Sequence, residues 1–88
     1  MTKTNMYKVY LSSDIMGLRN HKFLFETENK NALTRLIGEE LTNLGFRHNG
    51  YWRYTDLIDK VSIDFGSWSQ FIIIEGITFA ELLTMEEI

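Results

Sequence analysis

Residues 29–54 read NKNALTRLIGEELTNLGFRHNGYWRY, and this stretch predicts a helix that runs directly into a hairpin. Apolar residues recur at helical spacing and form one stripe, which comprises Leu33, Leu36, Ile37, Leu41 and Leu44. Gly45 follows the stripe, where a helix can end on a left-handed residue without steric cost. Asn49-Gly50 then predicts a two-residue turn between two strands. The stretch therefore predicts a main helix at about residues 29–44, followed by a hairpin.

The predicted hairpin has two faces, and the sequence leaves open which of them lies against the core. Strand alternation gives one face Phe46, His48, Tyr51, Arg53 and Thr55, and the other Arg47, Trp52 and Tyr54. If Phe46 packs against the helix, the face that carries Trp52 is exposed. If Trp52 is buried, the opposite face is exposed.

Apolar alternation predicts strands at residues 6–11, 22–27 and 61–65. Residues 70–75 form an almost continuous apolar run, which predicts a central strand that is buried on both faces. Thr78 and Glu81 have capping-box spacing, which predicts a short C-terminal helix at about residues 79–87. The predicted order is therefore ββαββββα. It indicates a single α+β domain over residues 1–88, with a mostly antiparallel sheet of five to six strands and the main helix across one face.

The sequence does not show what covers the second face of the predicted sheet. One long helix and one short helix hardly cover both faces, so the second face is expected to be polar or to contact a partner or a second copy of the chain. The loop after the first strand contains Ile15, Met16 and Leu18. These side chains either cover an edge of the core, which is the commoner arrangement, or form an exposed patch.

The composition excludes some kinds of site and argues against others. The 88 residues include no cysteine, which excludes disulfides and thiolate metal sites. The net charge of −3 is far from the basic balance of proteins that are held to nucleic acid by phosphate contacts. No apolar run is long enough to span a membrane, and the polar residues 1–5 do not resemble a signal peptide, so a cytoplasmic location is expected.

No combination of residues indicates catalysis or the binding of a metal or cofactor. His21 and His48 have no ligand spacing, and Asp56 and Asp59 are typical of a turn. The glycines are scattered singly and form no phosphate-binding loop. We therefore predict no catalytic, cofactor or metal site and no enzymatic activity. A small hydrolase or ribonuclease centred on His48 is the third hypothesis.

Aromatic and charged residues instead indicate a protein partner. Tryptophan, tyrosine and arginine dominate interface hot spots, and the acidic residues are concentrated in the second half of the chain. The predicted partner-binding residues are Arg47, Trp52, Tyr54, Trp68, Asp64 and Glu75. They predict an aromatic patch with an acidic rim, facing a larger basic protein. The alternative is a nucleic-acid-binding module, in which the Arg47–Tyr54 hairpin stacks on bases and contacts phosphates.

In its size, mild acidity and lack of a catalytic motif, the chain resembles small proteins encoded by phages and mobile elements. The resemblance is one of overall profile and is carried by no shared motif. It implies a non-enzymatic inhibitor or adaptor that blocks a host nucleic-acid-handling defence enzyme, as anti-CRISPR and anti-restriction proteins do.

Overall fold

The computed structural model describes residues 6–47, 52–67, 69–78 and 80. The strands in this part of the chain are β1 (Tyr7–Ser12), β2 (Lys22–Thr27), β3 (Arg53–Asp56), β4 (Lys60–Asp64) and β5 (Phe71–Glu75). Between β2 and β3, a 3-10 turn at Lys30–Ala32 continues directly into helix α1 (Leu33–Asn43). The predicted α+β fold and the predicted main helix are thereby confirmed.

The five strands form one antiparallel sheet with the order β2-β1-β5-β4-β3. β5 is the last of them along the chain, yet it is the central strand. Its residues Ile72, Ile73 and Ile74 are buried, as expected for a strand that is covered on both faces. β2 and β3 form the two edges and are more exposed than the strands between them.

Helix α1 packs its apolar stripe against one face of the sheet, which we call the helix face. The helix contributes Leu33, Ile37 and Leu41, which are all buried. From the rest of the chain, the buried residues of this core are Tyr7, Val9, Val61, Ile63, Phe65, Ile72, Ile74 and Ile77. The amphipathic pattern of the helix therefore positions the main core, as its sequence predicts.

The helical segment begins and ends on residues that suit these positions. The Asn29 side chain caps the first turn by accepting a hydrogen bond from a backbone N–H two residues on, at 3.1 Å. At the other end Gly45 has a φ of 85°, and the Phe46 N–H donates to the Leu41 carbonyl oxygen at 2.9 Å. This reversal brings Phe46 onto the core, edge to face with Phe65 at a centroid distance of 5.4 Å.

Several parts of the predicted fold are not confirmed. Phe46 and Arg47 belong to no strand, and the turn predicted at Asn49-Gly50 lies outside the described residues. Phe46 and Trp52 both pack against the core, because the end of the helix rather than strand alternation directs Phe46. The described residues contain no sixth strand, and the helix predicted at 79–87 lies outside them apart from residue 80.

The second face of the sheet is partly covered by the loop between β1 and β2, so we call it the loop face. Gly17 in this loop is buried against Ile73 of the central strand. A Cβ atom at Gly17 would lie 3.0 Å from Ile73 Cγ1, so the loop backbone lies close against the sheet and an added side chain would require Ile73 to shift. The uncovered face that the sequence predicts is therefore partly closed by the chain itself.

Among the described glycines with a positive φ, Gly76 leaves the least room for a side chain. It has a φ of 93°, and a Cβ atom there would lie 2.7 Å from the backbone oxygen of Met6. We expect Gly76→Ala to lower the free energy of unfolding by about 2–4 kcal/mol, from left-handed strain and steric overlap together. Urea denaturation measures the change.

Gly45→Ala provides the matched control for this prediction. Gly45 has a similar φ of 85°, but nothing lies within 4 Å of its added Cβ atom. We expect a loss of only about 1 kcal/mol from the conformation itself. If Gly76→Ala and Gly45→Ala lower the free energy of unfolding by the same amount, the approach of Met6 to Gly76 adds nothing to the loss.

Candidate functional site

Among the described residues, the most exposed large apolar side chains lie in the β1–β2 loop, on the neighbouring edge strand and at the tip of the β3–β4 hairpin. In the loop between β1 and β2 (residues 13–21), Ile15, Met16 and Leu18 are 40%, 47% and 73% exposed. Phe23 follows on edge strand β2 and is 50% exposed. At the tip of the β3–β4 hairpin, Ile58 is 91% exposed. Single exposed apolar residues are common, but three on one loop indicate a contact surface.

The β1–β2 loop is held in one shape by its own polar groups. The Ser13 N–H and the Ser12 hydroxyl both donate to the Arg19 carbonyl oxygen, at 3.0 and 2.8 Å. Across the loop, the Asp14 carboxylate accepts a hydrogen bond from the Leu18 N–H at 2.9 Å. These bonds close the loop without using its apolar side chains, which stay available for other contacts.

Two residues with left-handed backbone conformations shape the loop. Gly17 has a φ of 75° and Asn20 a φ of 49°, and both residue types adopt this region readily. Because Gly17 is seated on Ile73, the backbone of the loop is fixed to the sheet. The neighbouring side chains of Met16 and Leu18 nevertheless remain exposed. The loop therefore presents apolar groups on a preorganised backbone.

A group of rings on the loop face joins the end of this loop to the sheet. The His21 ring stacks on Tyr10 with a centroid distance of 3.9 Å, and Phe23 meets Tyr10 edge to face at 5.5 Å. Burial raises the pKa of the Tyr10 phenol, and the charge and hydrogen bonding of Glu75 and the charge of Glu26 act in the same direction. The folded protein therefore holds the proton of the Tyr10 phenol to a higher pH than an isolated tyrosine does.

The loop end of the sheet is the more basic end. Its exposed bases are Arg19, Lys22 and Arg53. The acidic residues at this end are Asp14 and Asp64, which accept hydrogen bonds from the Leu18 N–H at 2.9 Å and the Gly66 N–H at 3.0 Å but remain charged, so the three bases outnumber them. A partner that contacts this end therefore meets apolar side chains beside positive charges.

The opposite end of the sheet is the more acidic end. The strand register places alternating charges in one row across four strands, formed by Glu26, Lys8, Glu75 and Lys60. The tip of the β3–β4 hairpin adds Asp56 and Asp59, which are both exposed. The β1–β2 loop and the hairpin tip therefore lie at ends of opposite electrostatic character.

The structure separates the residues that the sequence predicts as one contact patch. Trp52 packs against the core, and Tyr54 lies opposite Ile63 on the helix face and is 38% exposed. Asp64 and Glu75 lie on the loop face, near opposite ends of the sheet. The acidic residues therefore lie on the opposite face of the sheet from Tyr54.

The other two predicted contact residues lie apart from the sheet. Arg47 is exposed and follows the end of α1. Trp68 lies outside the described residues, as does His48, on which the hydrolase hypothesis depends. The partner-binding role of Arg47 and Trp68 stays a prediction, as does the hydrolase hypothesis for His48. The described residues contain no group of three acidic or histidine side chains that could hold a metal ion.

The sequence carries only weak signals for the two exposed sites. It leaves Ile15, Met16 and Leu18 open between core cover and exposed patch, and the structure seats the loop backbone on the sheet while exposing their side chains. Ile58 was not predicted. The sequence does carry a clue to Ile58. The turn at residues 55–60 contains no glycine or asparagine, so another residue has to take the left-handed conformation.

Comparison with known proteins yields no relative. No protein-family model matches the chain, and no curated protein and no solved structure gives a significant match. Among the described residues, no helix is both long enough and apolar enough to pass through a bilayer.

Tyr10 should make the stability of the fold depend on pH in the alkaline range. Its pKa is raised above the ordinary value of 10.0, so an unfolded chain releases this proton at lower pH than the folded chain. The resulting stability is present below the unfolded pKa and is lost as the pH rises through the folded pKa. We expect Tyr10→Phe to reduce the loss of stability in this range, as measured by urea denaturation at a series of pH values.

Glu75→Gln separates the causes of this shift. The variant keeps the phenol but removes the negative charge next to it, so the pKa of Tyr10 should move back toward its ordinary value. Ultraviolet titration of the tyrosinate follows the change. If Tyr10→Phe has the same pH profile as the unmodified chain, Tyr10 does not contribute to the alkaline loss of stability.

Proposed function

We propose that the chain is a non-enzymatic protein-binding module, an inhibitor or adaptor that acts in the cytoplasm, and that the β1–β2 loop is its main contact surface. One observation carries the proposal. Ile15, Met16 and Leu18 are exposed on a loop that is closed by hydrogen bonds and seated on Ile73.

The energetics of the loop favour a bound state. Complete burial of a side chain such as Leu18 is worth about 1.5–3 kcal/mol relative to full exposure. In the isolated chain Leu18 is 73% exposed and obtains little of this gain, whereas Ile15 and Met16, at 40% and 47% exposed, obtain only part of it. A partner that covers them obtains it at small entropic cost, since the backbone of the loop is already ordered.

The chemistry of the loop favours a protein over a nucleic acid as the partner. Aliphatic side chains neither stack on bases as aromatic rings do nor neutralise phosphates as lysine and arginine do. They match instead the apolar centre of a protein interface, and Arg19 and Lys22 are placed to form part of a polar rim. The nucleic-acid alternative uses the Arg47–Tyr54 hairpin, in which Trp52 packs against the core and offers less surface for stacking.

The target class that we propose follows from the overall profile of the chain. Small acidic proteins without catalytic motifs that phages and mobile elements encode often block larger host enzymes. A host nucleic-acid-handling defence enzyme is therefore the proposed target. This part of the proposal is supported by size and composition, whereas the contact surface is supported by the geometry of the loop.

Affinity capture from a nuclease-treated bacterial lysate tests the proposed surface. We expect the unmodified chain to retain one stoichiometric protein, and Leu18→Asp to retain it about tenfold less or weaker still, because a charge would have to be buried at the interface. Leu44→Asp is the matched control, since Leu44 is 36% exposed and lies at the end of α1. If Leu18→Asp and Leu44→Asp retain the same amount of the partner protein, the proposal is contradicted. It is also contradicted if the chain retains only nucleic acid from a lysate that has not been treated with nuclease.

Asp14→Ala tests whether the preformed shape of the loop contributes to binding. The variant removes the acceptor of the Leu18 N–H and leaves every apolar side chain in place. We expect faster hydrogen exchange at the Leu18 amide and an affinity for the captured protein that is lower by roughly 3–10-fold. Faster exchange with unchanged affinity would show that the order of the loop does not matter for binding.

A further inference from the structure

Ile58, at the tip of the β3–β4 hairpin, combines two unfavourable features. Its φ is 77°, a left-handed conformation that β-branched residues avoid. Its side chain is 91% exposed, so no burial compensates for this strain. The other described non-glycine residue with a positive φ is Asn20, whose type tolerates the conformation. In the isolated chain, neither burial nor backbone preference favours an isoleucine at this position.

Hydrogen bonds hold Ile58 in its strained conformation. The Leu57 N–H donates to the Lys60 carbonyl oxygen at 3.0 Å, and the Asp59 N–H donates to the Leu57 carbonyl oxygen at 3.0 Å. The second bond closes a three-residue γ-turn centred on Ile58, a turn that is rare when φ is positive. The Asp56 carboxylate accepts from the Ile58 N–H at 2.8 Å. The tip therefore presents one apolar side chain in a defined conformation.

The charges around Ile58 indicate what this side chain can contact. Asp56 and Asp59 are exposed on either side of it. The adjoining end of the sheet adds Glu26 and Glu75, which alternate with two lysines. The acidic residues at this end repel nucleic acid and anionic lipid, and they repel a second copy of the same tip. They complement a basic protein surface.

We propose that the β3–β4 hairpin tip is a second contact surface, on which Ile58 inserts into an apolar socket rimmed by lysine and arginine residues of a partner protein. Asp56 and Asp59 pair with the rim, and the isoleucine fills the socket. Such a socket lies on a basic protein surface. Basic surfaces of this kind also contact the phosphates of nucleic acids. The inference rests on the proposed protein-binding function but uses a surface at the opposite end of the sheet from the β1–β2 loop.

Two variants at Ile58 separate binding from folding. Ile58→Asn keeps a residue that tolerates positive φ and removes the apolar side chain, so we expect its Tm to rise by roughly 3–8 °C. Ile58→Leu is the matched control, which keeps an apolar side chain at the tip. A Tm of Ile58→Asn below that of the unmodified chain would show that the isoleucine serves folding, and would overturn the proposal.

Photocrosslinking from the tip identifies the contact directly. The full chain with Ile58→p-benzoylphenylalanine is irradiated in a nuclease-treated bacterial lysate, and the crosslinked peptide is sequenced by mass spectrometry. We expect one protein, with lysine or arginine beside the crosslinked site. We expect excess Ile58→Leu to reduce the crosslink by about tenfold, as the unmodified chain does, and Ile58→Asn to compete about tenfold less well. Crosslinks to a second copy of the chain, to an acidic peptide or to no protein would overturn the proposal.

Competition by Leu18→Asp distinguishes failure of the tip from failure of the loop. If Ile58→Asn competes as well as the unmodified chain while Leu18→Asp does not, the tip is not a contact surface and the loop proposal stands. If Leu18→Asp competes fully and Ile58→Asn does not, the tip stands and the loop proposal fails.

Discussion

The fold depends on the requirement that both faces of the central strand be covered. β5 carries Ile72 and Ile74 on one face and Ile73 on the other, and all three side chains are buried. Helix α1 covers the first face with its apolar stripe. The second face has no helix among the described residues, and Gly17 of the β1–β2 loop lies directly on Ile73 instead. The seating of this loop, and with it the exposure of its outer side chains, follows from the burial of one isoleucine.

Those parts of the fold that depend on local patterns could be predicted from the sequence. The apolar stripe of α1, its end at Gly45 and the continuous apolar run of β5 each reflect interactions within a few residues. The predicted hairpin strand at Phe46 is not confirmed because two local signals competed there. Phe46 is directed by the hydrogen bond that closes the helix, and this contact outweighed the alternation expected of a strand.

The candidate sites were harder to predict, because exposure depends on contacts between distant parts of the chain. Whether Met16 and Leu18 are buried is decided by the contact of Gly17 with Ile73, which are far apart in the sequence. The predicted patch grouped Trp52 and Tyr54 with Asp64 and Glu75 by residue type. Strand register instead puts the aromatic and the acidic residues on different faces of the sheet. Residue type suggests what a side chain can bind, but register decides which side chains act together.

The position of β5 in the sheet also has a consequence for the order of assembly. β1 with β2 and β3 with β4 are pairs of strands that are neighbours along the chain, so each pair can form early and locally. The two pairs do not touch each other in the sheet and are joined only by β5. During synthesis on the ribosome, the sheet therefore stays in two halves until residue 75 has emerged, and two-stranded halves are marginally stable at best. β5 follows β4 directly along the chain, with residues 65–70 between them, so its pairing with β4 is also local. Its pairing with β1 spans most of the chain, and we expect this long-range step to limit the folding rate.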